Sequence, residues 1–260
     1  QDDIDRVYAR KLRHLLTQNA LLTAGPKHSN SIIEKLPSYT DLFQTHLPNR
    51  AFIGVKNSNI EGNLLDLNLR WAYHDFLDPV SPLINSSSVE AFSGTFRIDS
   101  SGTSLEKLDI ISIKSLPNYS KLFPKKSTNF ILNLSRSDLT NGRLGLNLTW
   151  GRGLSKHTLD GGIFYGLINF DLLYSPELLH SNSLGYSSEI GYNRNLTSNS
   201  RLFIKANQKW YPDEEYRETH FYTGVNFFVN SGSAVTVELF NKDNTAGSET
   251  TVGLRINHFF

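Results

Sequence analysis

From Asn49 to the end of the chain, apolar and polar side chains alternate with the period of two that marks an extended strand. The clearest segment sets Leu65, Leu67, Leu69, Trp71 and Tyr73 on one face. Asp66, Asn68, Arg70 and His74 stand on the other, with Ala72 among them. Residues 128–134, 144–150 and 164–174 repeat the pattern, with apolar rows such as Leu144/Leu146/Leu148/Trp150 and Phe164/Ile168/Phe170/Leu172/Tyr174. Later rows are Leu184/Tyr186/Ile190/Tyr192, Leu202/Ile204/Ala206/Trp210, Phe221/Val225/Phe227/Val229 and Val235/Val237/Leu239. The last row is Thr250/Val252/Leu254/Ile256/His258/Phe260. With weaker segments near 51–57, 89–99 and 105–114, the pattern predicts twelve strands.

Only the N-terminal stretch departs from this rhythm. Over residues 3–23, Ile4, Val7, Tyr8, Leu12, Leu15 and Leu16 recur at helical spacing, acidic residues come early, and Gly25-Pro26 ends the run. The expected organisation is a helical and irregular cap or connector over residues 1–48, followed by an all-β domain over residues 49–260.

Alternation by itself does not say which face points outward. A soluble sandwich or lipocalin-like barrel buries its apolar face, whereas a transmembrane barrel turns that face to lipid. Here the polar face carries charges in mid-strand and the apolar stripes end in aromatics, as interfacial girdles require. Trp71, Tyr73, Trp150, Tyr174 and Trp210 are the expected girdle. The final strand, with Gly253 seven places before the terminal Phe260, resembles the C-terminal signal of bacterial outer-membrane barrels. Gly253, Leu254, Ile256 and Phe260 carry that resemblance. The reading is an antiparallel transmembrane β-barrel of about twelve strands in the bacterial outer membrane, with lipids and the barrel assembly machinery as implied partners.

Composition narrows the picture without changing it. Hydrophobic residues make up 38% of the 260 and mean hydropathy is −0.33, which a barrel tolerates because only alternate positions are apolar. No run approaches the roughly 20 apolar residues of a transmembrane helix. Without Cys there is no disulfide, thiolate ligand or cysteine nucleophile. Without Met or a signal peptide at Gln1, the chain is expected to be a processed product or a portion of a longer one. A net charge of +1 gives no argument for nucleic acid.

Placing Phe260 at the periplasmic end orders the connections. Over the C-terminal strands, short turns at Asn230–Gly232 and Thr197–Asn199 fall on the periplasmic side and Lys242–Ser248, Pro212–Arg217 and Ser175–Asn182 fall outside. Farther back, short ones at Ser58–Gly62, Ser100–Thr103 and Asp138–Asn141 fall outside, and long ones at Phe76–Ser88, Leu116–Ser127 and Gly151–Thr158 fall on the periplasmic side. That inverts the usual arrangement and predicts a periplasmic working face. The densest polar motif, Arg70 to Pro79, lies there. A His beside carboxylates suits a base or a ligand, so His74, Asp75 and Asp78 are catalytic candidates. The competing reading is a salt-bridge cluster that pins the loop. No second metal-spaced His accompanies them, and no metal or cofactor is expected. Asp66, Arg70, Glu189, Lys205, Glu238 and Arg255 face inward as a lumen network. Outer-membrane phospholipases carry a His-x-Ser-Asn-Gly-type motif that His180-Ser181-Asn182, followed by Ser183, does not complete.

The stretches LRWAYHDFLDP (Leu69–Pro79), LEKLDIISIKSLPNYSKLF (Leu105–Phe123) and NFILNLSR (Asn129–Arg136) carry a second resemblance. They are similar to the C-terminal barrel region of domain-of-unknown-function proteins that have an upstream periplasmic papain-like domain, a group similar to the lipoprotein N-acyltransferases. The Cys/His chemistry of such a domain has no counterpart in this chain. The resemblance implies a barrel that anchors or scaffolds a periplasmic catalytic domain or partner chain. A lipid- or lipoprotein-modifying enzyme and a passive small-solute pore are the alternatives.

Overall fold

The computed structural model describes residues 47–71, 75–78, 86–100, 102–121, 124–158, 161–245 and 247–260. The helix expected over residues 3–23 lies outside them. Twelve antiparallel strands form a closed barrel in sequence order. They are β1 (Asn49–Ser58), β2 (Gly62–Trp71), β3 (Ser87–Asp99), β4 (Gly102–Ser115), β5 (Ser127–Arg136), β6 (Leu144–His157), β7 (Ile163–Tyr174), β8 (Asn182–Thr197), β9 (Ser200–Tyr211), β10 (Tyr216–Asn230), β11 (Ser233–Asn244) and β12 (Gly247–Phe259).

The closing seam joins the first and last strands, with Ile53 opposite Ile256 and Val55 opposite Leu254. At its end the Phe260 amide donates to the Asn49 carbonyl at 3.1 Å, and the Asn49 amide donates back at 3.3 Å. The ladder thus runs to the last residue. Closure matters because a strand edge in hydrocarbon leaves backbone groups without partners, at several kcal/mol each.

The barrel is polar inside and apolar outside. Ile53, Val55, Leu69, Trp71, Ile168, Ile190, Leu254 and Ile256 are exposed on the outer wall, while Asp66, Asn68, Arg70, Asn129, Asn169, Glu189, Asn226 and Asn257 are buried within. This is the outward face that the alternation left open. Trp71, Trp150, Tyr174 and Trp210 all point outward, as do Leu254, Ile256 and Phe260. Tyr73 lies outside the described residues. Strand register lines up Phe130, Trp150, Phe170, Tyr186 and Trp210 as a continuous row across β5 to β9. Because barrel strands are tilted, such a row runs obliquely along the outer wall and presents its rings to the lipid side.

One boundary differs from expectation. Gly151–Thr158 is not a long connection, because β6 runs on to His157. The glycines that suggested a loop sit where strands crowd: a Cβ on Gly153 would stand 1.9 Å from the Gly166 carbonyl oxygen on β7. They are close-approach glycines within a strand.

Over β1 to β5 the connections differ between the two ends, whereas beyond β5 the longer ones, residues 137–143 and 175–181, lie opposite Phe260. At the end opposite Phe260, the β1–β2 and β3–β4 hairpins turn within residues 59–61 and 100–101. At the Phe260 end, residues 72–86 join β2 to β3 and residues 116–126 join β4 to β5.

Candidate functional site

Residues 75–78 of the β2–β3 connection form a tight turn inside the lumen. The Asp75 carboxylate accepts from the amides of Leu77 (2.7 Å) and Asp78 (3.1 Å), and the Asp78 carboxylate accepts from the Asp75 amide at 2.8 Å. This reciprocal capping, the habit of Asp in turns, leaves both carboxylates with lone pairs facing inward.

Arginines on the two preceding strands meet them. Arg50 on β1 donates to Asp75 at 2.7 Å and to Asp78 at 3.0 Å. Arg70 on β2 reaches Asp75 at 3.2 Å, Glu90 of β3 at 3.1 Å, and also Asp78. Arg70 and Asp78 are 1% and 0% exposed, so the pairing is dry and each charge depends on the other. The far wall grips the same turn by its backbone. Arg201 of β9 donates to the Asp78 carbonyl at 3.2 Å, and Asn226 of β10 donates to the Leu77 carbonyl at 2.7 Å. Asn226 is itself held by Thr236 of β11 (2.9 Å), which accepts from Asn257 of β12 at 2.9 Å.

Between these polar clasps the turn drops two apolar side chains into the lumen. Phe76 stacks on Phe203 with centroids 6.1 Å apart, and Phe203 meets Tyr222 at 5.9 Å. Phe76, Leu77 and Phe203 share a buried cluster with Ile163, Tyr165, Leu167 and Leu116. Leu116 comes from the β4–β5 connection, which bends the same way. Its amide donates to the Ser86 carbonyl (2.6 Å), its carbonyl meets the His157 ring (2.9 Å), and Ser155 donates to the neighbouring Pro117 carbonyl (2.7 Å).

The expected inward residues occupy this lumen in linked groups. Lys56 bridges Asp66 (3.0 Å) and Glu238 (3.3 Å), Arg97 pairs with Asp66 at 3.1 Å, and Arg255 pairs with Glu238 at 3.0 Å. Tyr222 links the two groups, donating to Glu238 and accepting from Arg255. Glu189 accepts from Tyr165 at 2.7 Å and pairs with Lys114. Lys205 makes no hydrogen bond or ion pair among the described residues. Gly253 faces inward against Glu238 and Lys56.

Of the catalytic candidates, His74 lies outside the described residues. Asp75 and Asp78 are brought together, but in a state poorly suited to base chemistry. Burial acts to raise the Asp75 pKa, yet the charges of Arg50 and Arg70 and the Leu77 amide outweigh it and hold the carboxyl well below the usual carboxylate range. A carboxylate so strongly held does not take a proton near neutral pH.

Sequence reading missed Arg50, Arg201, Asn226, Phe203 and Lys114. Arg50 and Arg201 have a legible signal, since each falls on the polar phase of its strand near the Phe260 end. Lys114 has none, because the register shift between Asp109 and Ile111 flips the inward phase of β4 from odd to even positions.

Two solved structures share the fold. The COG4313 outer membrane channel from Pseudomonas putida F1 is 12% identical, with a TM-score of 0.53 over 86% of this chain and 99% of its own. The NanC porin is 8% identical, with a TM-score of 0.53 over 81% of this chain and 99% of its own. At such identities the likeness speaks to architecture alone: an all-β antiparallel barrel of the outer-membrane type. No curated protein matches the chain. The model of the family described as domain of unknown function DUF7840 matches residues 43–259, and the chain belongs to that family.

Proposed function

We propose that this protein is a closed outer-membrane barrel that serves as anchor and docking platform for periplasmic chemistry, supplied by an upstream domain or a partner chain. The observation that carries this reading is the Asp75–Asp78 turn, clasped inside the lumen by Arg50, Arg70, Arg201 and Asn226. A conduit gains nothing from a turn fixed across its interior by side chains of four strands. A platform gains a rigid end from which connections can be presented. The resemblance of Leu69–Pro79 and Leu105–Phe123 to barrels with an upstream papain-like domain supports the same reading, with the Phe260 end facing the periplasm.

Planar-bilayer recording of the purified chain tests closure; silence is expected, and a steady open-channel conductance would sink the proposal. Sidedness has a clean assay because the chain contains no Cys. In intact cells a thiol reagent that cannot cross the outer membrane should label Asp213→Cys and spare Lys126→Cys until the membrane is permeabilised. The reverse pattern would invert the barrel.

A passive small-solute pore is the second reading. It is favoured by the likeness to structures described as a channel and a porin. The same bilayer recording decides between the two.

A further inference from the structure

Lysines gather on one side of the lumen in excess of the carboxylates that could neutralise them. Lys107 and Lys114 lie on β4 and Lys205 and Lys209 on β9; Lys205 and Lys209 flank Asn207, which stands opposite Glu189 in the β8–β9 register, and Glu189 is the carboxylate that Lys114 pairs with across the lumen. Two carboxylates stand among them, and both are engaged. Asp109 pairs with Lys107 at 2.9 Å and accepts from Asn133. Glu189 pairs with Lys114 and accepts from Tyr165. Glu90 flanks the group but is held by Arg70. Glu218 stands opposite Lys209 in the β9–β10 register, and its hydrogen bond from the neutral Tyr216 hydroxyl leaves its charge to count against Lys209. Neither Lys205 nor Lys209 has a hydrogen bond or ion pair among the described residues. Four ammonium groups against Asp109, Glu189 and Glu218 leave a surplus of one positive charge.

Such a surplus inside a protein wall is costly unless an anion answers it. The group is also reachable. The Lys107 side chain is 43% exposed although its position faces the lumen, so solvent enters here. Lys107 and Lys209 lie toward the hairpin end, away from the Asp75–Asp78 turn, which leaves that end as the approach. Lysine is a compact, mobile point charge with three donors, and it serves phosphate groups in that capacity.

We propose that the lumen between β4 and β9 binds a phosphate-bearing solute through Lys107, Lys114, Lys205 and Lys209. The phosphate can belong to a free ion or to a lipid headgroup, and the site's chemistry is the same for both. The proposal stands whether the barrel is closed or conducting, because it concerns the lysine wall and not the Asp75–Asp78 turn.

The test is calorimetric titration of the full chain in a zwitterionic detergent at fixed ionic strength, with inorganic phosphate in one arm and soluble dihexanoyl phosphatidic acid in the other. Saturable binding is expected in at least one arm; heat in the lipid arm alone assigns the headgroup as the source. Lys205→Gln and Lys209→Gln should each weaken binding by about tenfold or more, the scale of a lost charged hydrogen bond. Lys156→Gln on the outer wall should not change it. Where a variant fails to fold, lysine acetylation of the wild-type chain gives the same answer: phosphate should protect Lys205 and Lys209. No saturation in either arm below about 10 mM, variants that bind like wild type, or unprotected lysines would overturn the proposal.

Discussion

Two sides of one lumen treat charge in opposite ways. On the side of β1 to β3, every guanidinium named above meets a carboxylate, and Arg50, Arg70, Asp75, Asp78 and Glu90 interlock within 3.9 Å. On the side of β4 and β9, lysines outnumber their partners. The first arrangement is self-contained and locks a turn in place. The second is unbalanced and open to solvent at Lys107. A buried charge is structural when its partner belongs to the chain; when the chain supplies no partner, the charge is available to something else.

Breaking the closed side should cost most. Asp78→Ala removes a shared partner of two buried guanidiniums, and leaving such charges uncompensated costs about 3–5 kcal/mol. Urea unfolding in micelles should show a loss of that size, and bilayer recordings should gain intermittent conductance as the turn is released. A loss below about 1 kcal/mol would mean the clasp is not holding the turn. Phe203→Ala should follow at about 3 kcal/mol, since it opens a cavity beneath Phe76 in the buried cluster.

Acid should loosen the same side more gently. Asp75 has a folded pKa below its unfolded value, so in acid the unfolded chain binds more protons and stability falls as pH falls. The contribution is complete above the unfolded carboxylate pKa of about 3.9 and is lost progressively below it. The urea midpoint of the wild type should therefore be level from neutrality to about pH 4 and then drop. Asp75→Asn should start lower and drop less. A midpoint that already fell between pH 7 and pH 5 would require a different group.

The smallest effect belongs to the open side. Lys205→Gln removes a charge with no ion pair among the described residues, so stability should change by less than about 1 kcal/mol, or rise. The contrast with Asp78→Ala is the measurement that matters: equal losses on both sides would erase the distinction.

Much of the architecture was legible before any coordinates. The period of two set the strand count, the aromatic ends of the stripes chose a barrel for lipid over one for water, and Asp66, Arg70, Glu189, Glu238 and Arg255 fell on the inward phase by counting. The Arg70–Pro79 motif stood out as polar and dense, and both readings of it, catalytic cluster or loop-pinning salt bridges, were open. What stayed hidden had physical causes. The bulge in β4 masked Lys114, and the glycines of β6 imitated a loop because close approach and turn-making select the same residue.

The sequence by itself determined alternation, strand number and the pairing of the ends, because each follows from a local rule: side chains on a strand alternate, and a strand in lipid must find a neighbour on both edges. Only the tertiary structure decided which charges meet. Arg50 and Asp78 are 28 residues apart, and Asn226 and Leu77 are 149 apart. Barrel closure brings such pairs across the lumen through the summed registers of twelve strands. No local pattern encodes that sum, and it is what makes Asp75 and Asp78 parts of a clasp and leaves Lys205 without an ion pair among the described residues.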